Sequence, residues 1–161
     1  MIMGELDISL QQYVVDNIVP IYNHFDLSHN VSHVLEVIDD CLKLGRLNHV
    51  NLNMIFTIAV YHDVGMLKNR ENHEKHSKGF LLSDKKLKNW FTDEQLRVMA
   101  EASEDHRASS NKRPRTIYGL IVSDSDRSVN LDVIMIKTYN FLIHNFPKDD
   151  FKAHFEKPIH G

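Results

Sequence analysis

The sequence predicts an all-α protein, a single-domain bundle of roughly seven to nine helices. Helix breakers are scarce, with 6 Gly and 4 Pro among 161 residues, and such a composition favours helix. Apolar residues recur at intervals of three and four in most segments, which is the spacing of one helical face. A chain of this length builds one sizeable core. We therefore predict a single domain over residues 1–161.

Composition and charge exclude several classes of function. The formal net charge of -3 provides no basic field for a phosphate backbone, so nucleic-acid polymers are poor partners. No apolar run approaches the roughly 18 residues that span a bilayer, and the N-terminus lacks the features of a signal peptide. The only cysteine, Cys41, fits a buried thiol in a reducing compartment. We predict a soluble cytoplasmic protein.

Three helices are predicted in the first part of the chain. The first spans about residues 7–25, and Pro20 bends it or separates its last turn. The second ends at Gly45, a residue suited to a helix C-cap. The third, residues 51–62, is apolar almost all round, as a central buried helix would be. Gly65 then stops or turns the chain.

Further helices are predicted in the second part of the chain. One begins with the segment from Glu71 to Ser77, and a short helix follows over residues 84–91. Thr92 to Gln95 forms a capping-box pattern that starts the next helix. Residues 116–127 are helical by pattern, and Asn130 begins another amphipathic segment.

Histidine is frequent, with 11 residues, and several lie at inward or terminal positions of the predicted helices. His33 and His106 fall on inward stripes, although a backbone carbonyl can equally satisfy an inward histidine. His73 lies at a charged helix start, which can also be simply solvent-exposed. The pair His62-Asp63 ends the buried helix, where an unpaired carboxylate is costly and should have a cation partner. Imidazole nitrogen and carboxylate oxygen together suit a divalent transition metal.

An aspartate near the end of the helix at residues 116–127 is a further candidate. Asp124 and Asp126 are two positions apart and lie on different helical faces, so at most one easily enters a core site. Helical phase places Asp124 on the face of Ile117 and Ile121. From the residues alone, both aspartates stay candidates.

Four separated pieces of the sequence carry these residues. They are His29-Asn-Val-Ser-His33, His62-Asp-Val-Gly65, His73-Glu74 with Ser77, and Glu104-Asp-His106-Arg107 followed by Ser125-Asp126-Arg127. Together the pieces resemble the HD superfamily of metal-dependent phosphohydrolases. The resemblance implies a motif-bearing core over about residues 26–127 and C-terminal helices over residues 130–161. Similar sequences often continue with more helix, so part of the C-terminal wall is expected beyond Gly161.

The resemblance also implies which residues bind metal. In HD proteins the first histidine, the HD pair and the late aspartate form the core site, which corresponds here to His33, His62, Asp63 and Asp126. Members with two metals add histidines at positions that match His73 and His106, and Asp63 would then bridge the two ions. The implied cofactor is one or two divalent transition-metal ions of Mn, Fe, Ni, Co or Zn.

The resemblance favours one of the two late aspartates. The family's Ala-Asp-Arg/Lys pattern aligns with Ser125-Asp126-Arg127, so Asp126 is the predicted ligand. Asp124 is kept as a residue that would support a ligand rather than bind the metal.

The leading functional hypothesis is hydrolysis of a phosphate ester on a small molecule, with nucleotides among the candidates. A bound metal would lower the pKa of its water and neutralise phosphate oxygens. Asp63 is the central predicted catalytic residue. The residues predicted to add positive charge to the transferring group are Lys68, Arg70, Arg107 and Arg127. The alternative for each of them is an exposed surface charge without a role in the reaction. The basic run from Arg107 to Arg115 likewise fits a solvated loop or a phosphate-binding one.

Several departures from the family pattern reduce the range of candidate substrates. No Glu-Asp pair follows His62-Asp63 four residues later, and no Gly-Tyr-Pro follows the late histidines. These absences disfavour hydrolysis of alarmones and of cyclic dinucleotides. The lysine that often follows the HD glycine is displaced here to Lys68.

Two alternatives to hydrolysis remain at this level. Some HD proteins with the same six ligand types hold two irons and activate oxygen, because ligand identity does not fix redox chemistry. A non-catalytic module that binds a metal or a nucleotide is the other alternative. All six expected ligand positions are present, which favours an active site.

Overall fold

The protein is entirely helical over residues 5–107 and 112–127, which a computed structural model describes, and these ranges contain no strand. Their six α-helices are α1 Ile8–Asn17, α2 Val31–Leu47, α3 Leu52–Tyr61, α4 His73–Ser83, α5 Asp93–Asp105 and α6 Ile117–Asp126. This architecture confirms the all-α prediction, with a helix count below the seven to nine expected. The helices predicted from Asn130 onward lie outside the described residues, so the single-domain boundary stays a prediction.

Three short 3₁₀ helices occupy places where the sequence predicts a break or a short element. Val19–His24 follows α1 and carries Pro20 in its first turn, so the expected split occurs. Val64–Leu67 follows the HD pair and contains Gly65. Lys85–Asn89 forms most of the short helix predicted between α4 and α5.

Polar side chains begin most of the α-helices. Thr92 and Gln95 form the predicted capping box at the start of α5, with both reciprocal hydrogen bonds present. Asn51 caps α3. Asn30 caps α2 by accepting the backbone N–H of His33 at 3.2 Å. This cap places His33 in the first turn of α2, because the first backbone N–H groups of a helix need an acceptor from outside it.

The prediction that Gly45 ends α2 is wrong. The helix continues to Leu47, and Gly45 is buried within it. A Cβ atom at Gly45 would lie 3.1 Å from Cγ2 of Ile55, so the missing side chain allows α2 and α3 to approach closely. The left-handed conformation that commonly follows a helix is taken by His49, with φ of 55°.

Helix α3 lies at the centre of the core. Every residue in it except Asn53 is buried, as its all-round apolar pattern predicts. It packs against α2, α5 and α6, so a residue at its end is surrounded by other helices. Cys41 on α2 is also buried, as predicted, and burial raises the pKa of its thiol to about 12. Among the described residues, no helix is long and apolar enough to cross a membrane.

Candidate metal centre

Three histidines are held in one orientation by the backbone. Nδ1 of His62 lies 2.6 Å from the carbonyl oxygen of Ala59, and Nδ1 of His106 lies 2.5 Å from that of Ser103. Nδ1 of His73 makes the same contact with the residue three positions earlier, at 2.9 Å. A carbonyl oxygen only accepts, so Nδ1 carries the hydrogen in each ring. In the neutral form, each Nε2 is therefore left as a lone-pair donor for a cation.

A first group of donors joins α2, the end of α3 and the end of α6. Its members are His33, His62, Asp63 and Asp126, whose donor atoms all lie within 4.8 Å of one another. Nε2 of His33 is 3.1 Å from Oδ1 of Asp126. Nε2 of His62 is 3.2 Å from Oδ2 of Asp63. We call this set the four-donor group.

A second group joins the HD pair to α4 and to the end of α5. It consists of Asp63, His73 and His106, again with donor atoms within 4.8 Å of one another. Oδ1 of Asp63 lies 3.2 Å from Nε2 of His73 and 3.5 Å from Nε2 of His106. We call this set the three-donor group. Asp63 belongs to both groups and turns a different carboxylate oxygen toward each.

The polar atoms buried at the site fit a cation. In the described part of the chain, Nε2 of His33, Nε2 of His62 and Oδ2 of Asp63 are buried without a hydrogen-bond partner. Nε2 of His73 and Nε2 of His106 face each other at 3.1 Å. Buried polar atoms without partners are costly, and facing lone pairs repel. A divalent transition metal matches this nitrogen and oxygen donor set.

The charged groups of the site shift one another's pKa values. Burial by itself would lower the pKa of His62, but Asp63 and Asp126 outweigh burial and raise it well above 6.5. Burial acts to raise the pKa of Asp63, yet the charge of His62 and the close imidazole rings of His106 and His73 lower it well below 3.8. The pKa of Asp126 is also lowered, because burial is outweighed by the close imidazole rings of His33 and His62. Both carboxylates are thus ionised at neutral pH, the form that binds metal.

The structure separates the two late aspartates. Asp126 turns toward the site, whereas Asp124 is exposed. The phase argument for Asp124 is wrong, because the buried face of α6 is centred on Val122, and Asp124, two positions later, lies on the opposite side of the helix. The buried residues of α6 are Gly119, Ile121, Val122, Ser123 and Ser125. Ile117, from which that phase was taken, is itself 42% exposed.

Two of the predicted cationic residues, Arg107 and Lys68, contact side chains outside the donor groups. Arg107 follows His106 and binds the Glu74 carboxylate at 3.0 Å, and it also donates to the carbonyl oxygen of Glu71. Lys68 is exposed, and its Nζ lies 5.6 Å from the centre of the Phe80 ring. The contacts of both side chains are with residues other than the candidate metal ligands, so their catalytic roles stay predictions.

The other two candidate cations are also outside the donor groups. Nη1 of Arg70 lies 2.5 Å from the Asp26 carboxylate, which also lies 2.8 Å from Nδ1 of His29. Arg127 follows Asp126 and is exposed. Both stay predictions as contributors of positive charge to a substrate.

A cavity of about 350 Å³ is lined by charged side chains and by none of the candidate metal ligands. Its lining includes Glu74 and Arg107, which directly follow His73 and His106 in the sequence. The complete lining contains five basic and three acidic residues: Glu74, Lys75, Glu104, Asp105, Arg107, Lys112, Arg113 and Arg115. Arg115 is engaged by Glu104 and Asp105. The basic run that begins at Arg107 therefore contributes positive charge to this cavity.

The turn formed by His62-Asp63 and the 3₁₀ helix Val64–Leu67 is called the HD turn. Two features that hold it in place were not predicted from sequence. The Gly65 N–H donates to Oγ of Ser77 at 2.8 Å, which joins the turn to α4. The Asp63 N–H donates to the Tyr22 hydroxyl at 3.3 Å. Ser77 belongs to the motif piece that begins at His73, and this membership is the sequence signal for the first contact. Tyr22 lies 41 residues before Asp63, and no local pattern links the two.

Comparison with known families agrees with this geometry. The HD domain family model matches residues 30–131, which is more than half of the chain. This protein belongs to the HD domain family, and the resemblance predicted from its motifs is confirmed.

A solved structure shows the same fold. A predicted HD superfamily hydrolase from an uncultured Thermotogales bacterium is similar, with a TM-score of 0.66 and 17% sequence identity. The similarity covers 81% of this chain and 74% of that chain. At this identity the likeness shows the fold alone. A search of curated proteins finds no match.

Proposed function

We propose that this HD-domain protein is a metal-dependent phosphohydrolase that cleaves a phosphate ester of a small molecule, with nucleotides among the candidate substrates. The observation that carries the proposal is the shared carboxylate of Asp63. Its Oδ2 belongs to the four-donor group and its Oδ1 lies 3.2 Å from His73 Nε2 in the three-donor group. Such an arrangement supports two cations side by side, a geometry suited to phosphoryl chemistry.

The residues that would hold the metal divide between the two groups. His33, His62 and Asp126 serve one position, His73 and His106 serve the other, and Asp63 serves both. A divalent ion held there lowers the pKa of a coordinated water and neutralises charge on phosphoryl oxygens. The backbone carbonyls behind His62, His73 and His106 hold the rings in place. A group of three protein donors leaves coordination positions for a substrate.

The charge around the site supports an anionic substrate. Among the lining residues of the 350 Å³ cavity, five are basic and three are acidic. Arg107 is fixed in that lining by Glu74, and an arginine can present more than one N–H donor to a phosphate. We propose that Arg107 contacts the substrate phosphate, with Lys68 and Arg127 adding positive charge. A small phosphorylated molecule is thus the expected partner.

The test is metal content followed by a phosphate-ester screen. The untagged protein, prepared without chelator, is measured by elemental analysis beside Asp126→Ala and Asp124→Ala. We expect one or two transition-metal ions per chain in the wild type and a loss of at least one ion in Asp126→Ala. Asp124→Ala is the matched control, since it removes an exposed carboxylate of the same helix, and it should keep both metal and activity.

The outcomes separate the functional alternatives. Release of phosphate from small esters by the wild type, but not by Asp126→Ala, would support the hydrolase. Iron in the site with oxygen consumption and no ester hydrolysis would instead support the oxygenase. A full metal complement with no turnover in either assay would leave a binding module. Absence of metal after reconstitution with Mn, Fe, Co, Ni and Zn would overturn the metal centre itself.

A further inference from the structure

We infer that Tyr22 is a positioning residue of the metal centre, because its hydroxyl holds the backbone of Asp63, the carboxylate common to both donor groups. The hydroxyl donates to the carbonyl oxygen of Val60 at 2.7 Å and accepts the Asp63 N–H at 3.3 Å. This inference rests on the metal centre of the proposed function. It does not depend on which reaction the centre supports.

The end of α3 explains why a hydroxyl is needed at this place. A helical hydrogen bond would lead the Asp63 N–H to the carbonyl of Ala59, four residues earlier. That carbonyl accepts Nδ1–H of His62 at 2.6 Å. Val60 lies in the last turn of α3, where carbonyl oxygens need hydrogen-bond donors from outside the helix. A hydroxyl both donates and accepts, so one side chain satisfies both backbone groups.

Burial excludes water from the two hydrogen bonds of the Tyr22 hydroxyl. The side chain of Tyr22 has no exposed surface, so water cannot readily replace its hydroxyl. Burial, together with the charge of Asp63, raises the pKa of Tyr22 well above 10, and the hydroxyl stays protonated near neutral pH. The ring also lies beside the His62 imidazole, with centroids 6.4 Å apart.

The position of Tyr22 in the chain adds a second point. It lies in the 3₁₀ helix Val19–His24, before residue 30, where the match to the family model begins. A residue that precedes the motif-bearing core thus holds the backbone of Asp63, the carboxylate at the centre of that core. An outer residue of this kind commonly alters metal affinity by about 10-fold to 100-fold when it is removed.

The experiment compares Tyr22→Phe with Tyr61→Phe in the full chain. Each change removes one hydroxyl from a buried ring, but the Tyr61 hydroxyl contacts Asp84 rather than the HD turn. Protein stripped of metal is titrated with Co²⁺ in competition with a chelating dye. We expect the Kd for Co²⁺ to rise about 10-fold in Tyr22→Phe, with a changed visible spectrum of the bound ion. Tyr61→Phe should keep both the wild-type Kd and the wild-type spectrum.

A merely structural role for Tyr22 predicts a different result. Thermal unfolding of the metal-free proteins would then show destabilisation by both variants, with the Kd and the Co²⁺ spectrum unchanged in both. That outcome would overturn the inference. A wild type that binds no Co²⁺ would overturn the metal centre and the inference together. Tight Co²⁺ binding that Tyr22→Phe weakens, without hydrolysis of any ester, would sustain the inference while the proposed reaction failed.

A second measurement avoids a substitution at Tyr22. The wild-type protein is labelled with 3-fluorotyrosine, and its fluorine resonances are assigned by replacing the other tyrosines with Phe. We expect addition of Zn²⁺ to shift the Tyr22 resonance and to leave the Tyr61 resonance in place. Equal responses of the two resonances would overturn the inference even if Tyr22→Phe did not fold.

Discussion

Two adjacent residues at the end of α3 enter two different polar clusters, of which the one around Asp84 is partly exposed and the other is largely buried. Tyr61 turns its hydroxyl to Asp84, 2.5 Å away, and Tyr13 donates to the same carboxylate oxygen at 2.6 Å. The His62 side chain points into the four-donor group. Both clusters join distant parts of the chain, and both place a carboxylate among ring side chains. They differ in whether their polar atoms find partners within the protein.

From this difference we expect that the Tyr61 cluster maintains the fold and that the donor groups bind an external ligand. In the Tyr61 cluster, each tyrosine donates one O–H and the Asp84 carboxylate accepts both. In the metal centre, buried nitrogen and oxygen atoms of His33, His62 and Asp63 have no hydrogen-bond partner within the described ranges. An unsatisfied buried polar atom weakens a fold. Its presence in a well-packed core therefore points to an external ligand.

The largest expected effect comes from Asp63→Asn. An amide has no negative charge and offers only one oxygen acceptor, so it cannot serve both donor groups as the carboxylate does. Metal content should fall from one or two ions per chain to background, with loss of any metal-dependent activity. Elemental analysis and circular dichroism would be measured together, with Asp84→Asn as the control that keeps its metal. Retention of metal by Asp63→Asn would remove the distinction between the two clusters.

A smaller effect, confined to stability, is expected from Asp84→Ala. The change leaves the Tyr13 and Tyr61 hydroxyls without their acceptor, and each hydrogen bond to a charged group contributes about 1.5–3 kcal/mol. Because Asp84 is partly exposed, we expect a decrease of about 3 kcal/mol in the free energy of unfolding rather than the full sum. Urea unfolding of the metal-free protein measures it. A change in metal affinity here would contradict the division of roles.

The junction between the HD turn and α4 is tested by Gly65→Ala. A Cβ atom there would overlap the carbonyl oxygen of His73 and lie 2.5 Å from the backbone nitrogen of Ser77. Neither backbone group can rotate away, so the start of α4 should shift and weaken the three-donor group more than the four-donor group. We expect destabilisation of about 2 kcal/mol and a weaker second step in a calorimetric metal titration.

Helix α4 contains a matched control for Gly65→Ala. A Cβ atom at Gly79, in α4, would meet no atom within 4 Å. Gly79→Ala should therefore leave metal binding unchanged and stabilise the protein by about 0.5–1 kcal/mol, because alanine favours the helical backbone. If both variants weakened metal binding equally, the effect of Gly65→Ala could not be assigned to the HD turn.

Metal affinity should rise with pH while the Tyr61 cluster stays unchanged. The pKa of His62 is raised well above 6.5 and that of His73 is also raised. A metal must therefore displace protons, and affinity should increase about tenfold per pH unit for each proton displaced. The pKa of Tyr13 is raised to about 12, so its hydroxyl does not titrate near neutral pH. Calorimetric titrations in buffers of different ionisation enthalpy count the protons released.

The stability of the metal-free protein should show the opposite trend above neutral pH. A histidine whose folded pKa is raised stabilises the protein below pH 6.5, and this contribution is lost as pH rises through the folded pKa. The lowered pKa values of Asp63 and Asp126 contribute above pH 3.8 and lose their effect as pH falls. Metal-free protein should thus be most stable between about pH 4 and pH 6.5, as unfolding at several pH values would show. A rise in its stability above pH 7 would contradict these shifts.

Local sequence signals predicted most of the helices correctly. The capping box at Thr92, the break near Pro20 and the apolar helix that ends before His62 all depend on neighbouring residues. The prediction at Gly45 failed because a glycine can end a helix or allow two helices to touch. Only its contact with Ile55 on α3 distinguishes the two uses.

The amino-acid sequence by itself determined the all-helical class, the HD family and the order of the candidate ligands. These depend on residue type, helical period and motif order, which are properties of the chain read along its length. Tertiary structure turned Asp126 toward the other candidate ligands and left Asp124 exposed, and it brought the Tyr22 hydroxyl to the backbone of Asp63. These depend on how a helix is rotated in the core and on which distant segment lies beside it, and both are set by packing among several elements at once.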